Sequence, residues 1–162
     1  QQEAIALLQG QAEKEDYSSR LKLYQSGSPY RDDNALATRT QAMLMAGKFA
    51  EAEPLARECL AIREKQIPDA WRAFNARSML GGTLLGQGKY AEAEPLLLAG
   101  YEGMKQREDK IPANGKVRLK ESLQRLVQLY DATGRADKAA EWKPKLAEFE
   151  RVEAGELPTA PR

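Results

Sequence analysis

The sequence carries the nonapeptide GKFAEAEPL at Gly47–Leu55 and nearly repeats it as GKYAEAEPL at Gly88–Leu96. Only the third position differs, where Phe49 is exchanged for Tyr90. The two copies begin 41 residues apart (88 − 47), and a fixed period of about 20–50 residues is the signature of a repeat architecture. Stacked repeats form extended surfaces that commonly bind other proteins.

The composition excludes several kinds of chemistry. The 162 residues include 25 basic and 24 acidic side chains, so no global field attracts nucleic acid. The chain has no histidine, which excludes Ser-His-Asp and Cys-His catalytic sites and removes the commonest transition-metal ligand. The single cysteine, Cys59, lies on the apolar face of a predicted helix and is expected in the core. We therefore expect no catalytic residue, no metal site and no cofactor.

Targeting signals are not recognisable in the chain. No apolar run approaches the ~18 residues that a membrane helix needs, and no signal-like stretch lies near the start. We expect no membrane contact and a cytoplasmic location. Because the chain opens with Gln1, we also expect it to be a fragment of a longer polypeptide.

Each nonapeptide is expected to join two helices. Apolar residues upstream are spaced three and four apart, and the glycine ends that helix because it readily adopts the left-handed conformation. Pro54 and Pro95 are expected in the first turn of the second helices, where their missing N–H costs little. A third, degenerate unit has Gly134 at its turn, and its Pro144 should kink or split the last helix.

The units divide the chain into three parts. Residues 1–30 are interpreted as the tail helix of a preceding repeat followed by a loop, and residues 151–162 as a disordered tail with few apolar residues. The part between them, residues 31–150, contains the repeats. Their expected bounds are about 31–67, 68–111 and 112–150.

A glycine, an aromatic residue and an alanine recur in the turn. This pattern resembles the tetratricopeptide repeat, and the long period resembles its kinesin-light-chain-like branch, whose repeats exceed the roughly 34 residues of the common form. The resemblance implies an all-α fold, a right-handed α-α superhelix of antiparallel helix pairs. The matching residues are Gly47, Phe49 and Ala52 in the first unit and Gly88, Tyr90 and Ala93 in the second.

Two further resemblances refine this expectation. Gly81 matches the small residue that lets the two helices of a unit approach closely, whereas Thr40 and Val127 occupy that position in the other units. Those helix pairs should therefore lie slightly further apart. The run Cys59–Glu108 is similar to terminal repeats of large planctomycete-type bacterial proteins, several of which carry a serine/threonine kinase domain. That similarity implies a larger signalling protein as the parent.

Candidate binding residues emerge when the first helices of the three units are aligned on their turn glycines. The resemblance implies that these helices line the concave face of the superhelix. Arginine guanidinium groups and asparagine amides can bind an acidic or extended peptide. The alternative is that these residues are polar positions on the solvated faces of amphipathic helices. The strict carboxylate clamp of chaperone-binding members is not recognisable. The aligned columns are Arg31, Arg72 and Arg118; Asn34, Asn75 and Glu121; and Gln41, Gly82 and Gln128.

These observations predict a non-catalytic module that binds an extended peptide or a partner domain of another protein in the concave groove. The alternative is self-association through an exposed N-terminal helix, or an intramolecular scaffold for the parent protein's other domains. An enzyme is the least favoured class. The acidic residues of the nonapeptides are expected in first helical turns, where they complement the helix dipole instead of forming catalytic pairs. They are Glu51, Glu53, Glu92 and Glu94.

Overall fold

A computed structural model of the protein describes residues 33–155. This part contains α-helices and two single 3₁₀ turns, Glu108–Lys110 and Ala113–Gly115, and no strand. The predicted all-α fold class is therefore confirmed. The helices are α1 (Asp33–Met45), α2 (Phe49–Gln66), α3 (Trp71–Gly86), α4 (Tyr90–Lys105), α5 (Val117–Ala132) and α6 (Ala136–Glu153).

The turn inside each helix pair is built on a glycine, as predicted. Gly47, Gly88 and Gly134 have φ values of 69°, 74° and 68°, in the left-handed region that favours glycine. The residue after each glycine donates its N–H back to the end of the preceding helix, for example from Lys89 to the Leu84 carbonyl over 2.9 Å. This bond is part of the Schellman motif that ends a helix.

Helices pack in the order of a repeat stack. Each pair packs internally, α2 contacts α3, and α4 contacts α5. The first helices also contact one another, α1 with α3 and α3 with α5. The described part is thus a solenoid of tetratricopeptide-like helix pairs, and its first helices form one continuous layer.

Glycines make the second pair the tightest. A Cβ on Gly81 would lie 2.7 Å from Leu97 Cγ, and one on Gly100 would lie 2.8 Å from the Ser78 nitrogen. Both distances are shorter than side chains tolerate, so only glycine permits this approach of α3 and α4. The contact between these two helices is the most extensive in the described part. The expected closeness at Gly81 is confirmed.

Three expectations about helix bounds are corrected. Pro54 is the sixth residue of α2, not a first-turn residue, because α2 begins at Phe49; Pro95 is likewise the sixth residue of α4. Pro144 does not split α6, which continues through it to Glu153. Residues 151–153 are therefore helical, whereas the predicted helix at 1–30 and the end of the expected tail lie outside the described residues.

The core lies along the helix contacts and includes the cysteine. Cys59 is fully buried, its thiol donates to the Asp33 carbonyl over 3.5 Å, and burial raises the pKa of this thiol. The prediction of a core residue is confirmed. Among the helices of residues 33–155, none is long and apolar enough to cross a membrane.

Candidate functional site

A groove runs along the layer of first helices, and we call it the α1–α3 groove. Its volume is about 390 Å³. Most of its lining comes from α1 and α3, with one residue each from α2 and α5. The lining residues are Asn34, Ala37, Thr38, Gln41, Ala42, Met45, Arg63, Trp71, Arg72, Asn75, Met79 and Arg118.

The structure brings together most of the residues that the aligned columns singled out. Five of them line the α1–α3 groove, and Glu121 lies beside it, where its Oε1 accepts a hydrogen bond from Gln41 Nε2 over 3.1 Å. Gln128 is exposed on α5 and is not among the lining residues. Arg31 lies outside the described residues. The five are Asn34, Gln41, Arg72, Asn75 and Arg118, and ligand binding by them stays a prediction.

Asn75 is the unusual member of this set. Its side chain is only 6% exposed, and its Oδ1 is buried without a hydrogen-bond partner among the described residues. A buried acceptor without a partner costs about 1–3 kcal/mol. An asparagine amide offers one acceptor and two donors, and rotation of the amide exchanges their positions. Because Oδ1 itself is inaccessible to solvent, a group that enters the groove can pair with it only after the amide rotates.

The charge that the groove offers is positive. Its lining contains Arg63, Arg72 and Arg118 and no acidic residue. Glu121 engages Arg118, whose Nη1 donates to both carboxylate oxygens over 2.8 and 2.9 Å. Arg72 is exposed, with its guanidinium carbon 5.8 Å from the centre of the Trp71 ring, and no acidic residue of the described part pairs with it. Arg72 is therefore the cation most available to a ligand.

Arg63 forms the buried wall of the groove where α2 meets α1 and α3. Only 3% of it is exposed. Its Nε donates to Asp33 Oδ2 over 2.9 Å, its Nη1 donates to the Arg72 carbonyl over 3.0 Å, and its Nη2 donates to Asn34 Oδ1 over 3.3 Å. A buried guanidinium needs such partners to offset its lost hydration. Arg63 therefore positions Asn34 and the start of α3.

Arg125 of α5 links all three first helices. Its Nη1 donates to Ser78 Oγ of α3 over 3.0 Å, and its Nη2 donates to Gln41 Oε1 of α1 over 3.3 Å. The side chain crosses α3 at Gly82, where a Cβ would lie 2.9 Å from Arg125 Nε. Burial lowers the pKa of Arg125 to about 10, and the Glu121 charge opposes this shift. The group remains charged at neutral pH.

Sequence reasoning missed both buried arginines. Arg125 belongs to a fourth aligned column with Thr38 and Met79, nine residues before each turn glycine (47 − 38, 88 − 79, 134 − 125). The signal was therefore present in the same alignment. Arg63 is on a second helix, where the next repeat has Met104, so the columns of first helices could not include it.

The carboxylates of the nonapeptides have two different roles. Glu51 and Glu92 lie in first turns, as predicted. Glu53 and Glu94 are the fifth residues of their helices, just past the first turn, and each binds the next repeat, so the prediction for them is wrong. Glu53 accepts from Lys89, Gln87 and Arg57, and these bonds lower its pKa to about 2. The low pKa of Glu53 therefore comes first from its contacts with the next repeat, and Arg57 of the same helix adds to it.

Comparison with known proteins agrees with this architecture. The structure defines a helical-repeat protein, and residues 34–65 match the family model of the tetratricopeptide repeat. This match supports the interpretation of the chain as a tetratricopeptide-repeat protein. Neither the curated proteins nor the solved structures contain a match to the chain. Within residues 33–155, no three Cys, Asp or Glu side chains are grouped so that they could hold a metal ion.

Proposed function

We propose that this chain is a non-catalytic module that binds an extended, acidic peptide of a partner protein in the α1–α3 groove. The observation that carries the proposal is the unpartnered, buried Oδ1 of Asn75 in a groove with an available arginine. The tetratricopeptide repeat generally mediates protein–protein interaction, which supports the class of function.

An extended peptide with an acidic side chain can supply partners for both the Asn75 amide and the Arg72 guanidinium. Once the Asn75 amide rotates, the peptide backbone N–H can donate to its oxygen, and the amide nitrogen can donate to a peptide carbonyl. A carboxylate one or two residues away can accept from Arg72 in a two-pronged arrangement. Formation of these bonds removes the cost of the unpartnered acceptor, so part of the binding free energy comes from relief of an existing penalty.

The groove is also shaped for a peptide backbone. Small side chains, Ala37 and Ala42, line its α1 wall, and Trp71 and Met79 supply apolar surface on α3. A volume of about 390 Å³ is within the range of about 300–1,000 Å³ that is usual for ligand sites. It accommodates a few peptide residues, and Arg118, which binds Glu121, is among its lining residues.

The wider context follows from resemblance alone. The long repeat period supports kinesin-light-chain-like repeats, and the similarity of Cys59–Glu108 to planctomycete-type terminal repeats supports a bacterial signalling protein, with a cytoplasmic location, as the parent. In that setting the groove recruits a partner of the signalling domain. Self-association or an intramolecular scaffold is the alternative, and light scattering over a range of concentrations tests the first of these. A strict monomer at high concentration would exclude it.

The experiment is an array of synthetic ten-residue peptides, scored for binding to the wild type, Arg72→Ala and Asn75→Ala. Lys110→Ala is the matched control, because it removes an exposed positive charge outside the groove. We expect the wild type and the control to bind the same acidic peptides. Both groove variants should bind them about tenfold or more weakly, equivalent to ~1.4 kcal/mol.

Two outcomes would reject the proposal. One is equal binding by all four proteins. The other is a preference for basic or neutral peptides that Arg72→Ala does not change. Asn75→Ala removes an unsatisfied polar atom, so a circular-dichroism melt should show a folded variant with a Tm close to that of the wild type.

A further inference from the structure

A second, larger groove lies at the last helix pair, and we call it the α5–α6 groove. Its volume is about 1080 Å³. Its apolar surface comes from the end of α4, the start of α5 and the second half of α6. The residues of that surface are Tyr101, Val117, Leu119, Leu123, Phe149 and Val152.

Comparison of the α3–α4 pair with the α5–α6 pair explains why this groove exists. In the second pair, Gly103 of α4 faces Phe74 of α3 so closely that a Cβ would lie 1.9 Å from the ring. Aligned on the turn glycines, the residues of α6 at the positions of Gly100 and Gly103 are Leu146 and Phe149. Large side chains there prevent the close approach, and the contact between α5 and α6 is less extensive than that between α3 and α4.

Exposed apolar side chains border the groove. Val117 is 38% exposed and Val152 is 58% exposed, and both belong to the lining. Val117 is at the first turn of α5, and Val152 is at the last turn of α6. Apolar side chains that gather at one rim, above an apolar floor, mark surfaces that bind partners.

The acidic and the basic side chains at this rim differ in whether they form ion pairs. Every acidic lining residue already has a basic partner: Glu108 pairs with Lys105 at 2.6 Å, Glu153 with Lys120 at 2.7 Å, and Glu148 with Arg151. Lys116 has no acidic partner among the described residues. Lys145 has none there either, and its ammonium lies 4.0 Å from the centre of the Trp142 ring. The groove therefore offers two positive charges that have no acidic partner among the described residues, beside an apolar floor.

We propose that the α5–α6 groove binds a short amphipathic helix of a protein partner, with acidic residues next to its apolar anchors. The groove follows α6 from Pro144 to Glu153, which spans ~13 Å at about 1.5 Å per residue. That length matches two and a half helical turns, enough for anchors at positions i, i+3 and i+7. Acidic flanks of the helix pair with Lys116 and Lys145.

This surface is separate from the α1–α3 groove. The two linings share no residue, so the module can hold one partner by an extended peptide and another by a helix. The α5–α6 proposal does not rest on the proposed function.

The test is selection from a phage-displayed library of 15-residue helical peptides on the full chain. The library fixes Leu, Leu and Phe at i, i+3 and i+7 and varies the flanking positions among Glu, Gln and Lys. We expect enrichment of peptides with Glu beside the anchors. The double variant Lys116→Glu/Lys145→Glu should bind those peptides about tenfold or more weakly and should select Lys-flanked peptides instead.

Matched variants separate this groove from the rest of the molecule. Val152→Asp should weaken the binding of every selected peptide. Met45→Asp should leave that binding unchanged, because Met45 is equally a surface residue, 81% exposed, but lies in the other groove. Arg72→Ala should also leave selection unchanged. These positions are on the surface, and circular dichroism verifies that each variant folds.

Three results would overturn the proposal. The first is no enrichment of any peptide by the wild type. The second is an unchanged charge preference in the double lysine variant. The third is that phosphatidylserine vesicles bind the groove and displace the selected peptides. That result would identify an anionic membrane surface as the occupant instead of a protein helix.

Discussion

Glu94 of α4 forms an ion pair with Arg135, the residue that follows the turn glycine of the next repeat, over 2.7 Å. Glu53 and Lys89 form the same pair one repeat earlier, over 2.9 Å. The nonapeptide therefore encodes more than a turn. Its second half carries a carboxylate that joins one helix pair to the next, and this explains why both copies retain it.

The Glu53 pair should make stability depend on pH. Because its pKa is lowered from the ordinary 4.5 to about 2, the unfolded chain takes up a proton before the folded one does. The stabilisation is therefore complete above about pH 4.5 and is lost as the pH falls towards 2. Glu53→Gln should lower the free energy of unfolding by ~1–2 kcal/mol at pH 7, and this difference should shrink at pH 3, measured by urea unfolding.

Glu51→Gln is the matched control for that measurement. The Glu51 side chain is 62% exposed and its nearest cation, Lys48, is 3.9 Å away. We expect it to cost less than about 0.5 kcal/mol at either pH. A similar cost for both variants, or a Glu53 effect independent of pH, would contradict the assigned role.

Gly88 should be required for its backbone conformation alone. Its φ is +74°, and a Cβ there would meet no atom within 4 Å. Gly88→Ala should therefore destabilise the fold by ~1 kcal/mol without steric conflict, and Gly88→Asn should cost less because asparagine tolerates this conformation. Thermal unfolding compares the three proteins. Equal Tm values for alanine and glycine would show that the turn does not need the left-handed residue.

Gly103 should be required for space instead. A Cβ added at Gly103 would overlap the Phe74 ring, so Gly103→Ala should destabilise the fold by ~1–3 kcal/mol. The double variant Gly103→Ala/Phe74→Leu should recover part of that loss, because the smaller side chain makes room. A double-mutant cycle measures the coupling. Simple additivity of the two changes would contradict the packing at this contact.

Arg125 should contribute packing as well as polar contacts. Arg125→Ala leaves a cavity and unpartnered groups on Ser78 and Gln41, so it should cost ~3 kcal/mol or more. Arg125→Met reproduces the residue at the aligned position Met79 and should cost at least ~1 kcal/mol less. Chemical unfolding of both variants decides this. An equal cost would mean that the volume of the side chain is unimportant.

Much of the fold was predictable from the sequence because its signals are local. A glycine that can adopt the left-handed conformation ends a helix through its own backbone, so the turns at Gly47, Gly88 and Gly134 were predicted correctly, although the third has Ala136 in place of the aromatic residue. The helix bounds were predicted less accurately because a proline is compatible with more than one early position, and Pro54 lies a turn deeper than expected.

The candidate site was predictable only in part. Alignment of the first helices placed Asn75 and Arg72 on one surface, since helical spacing determines which residues share a face. It could not reveal that Asn75 Oδ1 has no partner or that Arg63 enters from α2, because both depend on how neighbouring helices pack. The α5–α6 groove likewise arises from Leu146 and Phe149 in a tertiary contact.

Nitrogen-15 NMR of side-chain resonances tests the central claim most directly. The asparagines of the chain are Asn34, Asn75 and Asn114; the first two line the α1–α3 groove and Asn114 lines the other one. Titration with an acidic peptide chosen from the array should shift the amide resonances of Asn75 and the indole resonance of Trp71, and should leave Asn114 unchanged. A shift at Asn114 with none at Asn75 would contradict peptide binding in the α1–α3 groove.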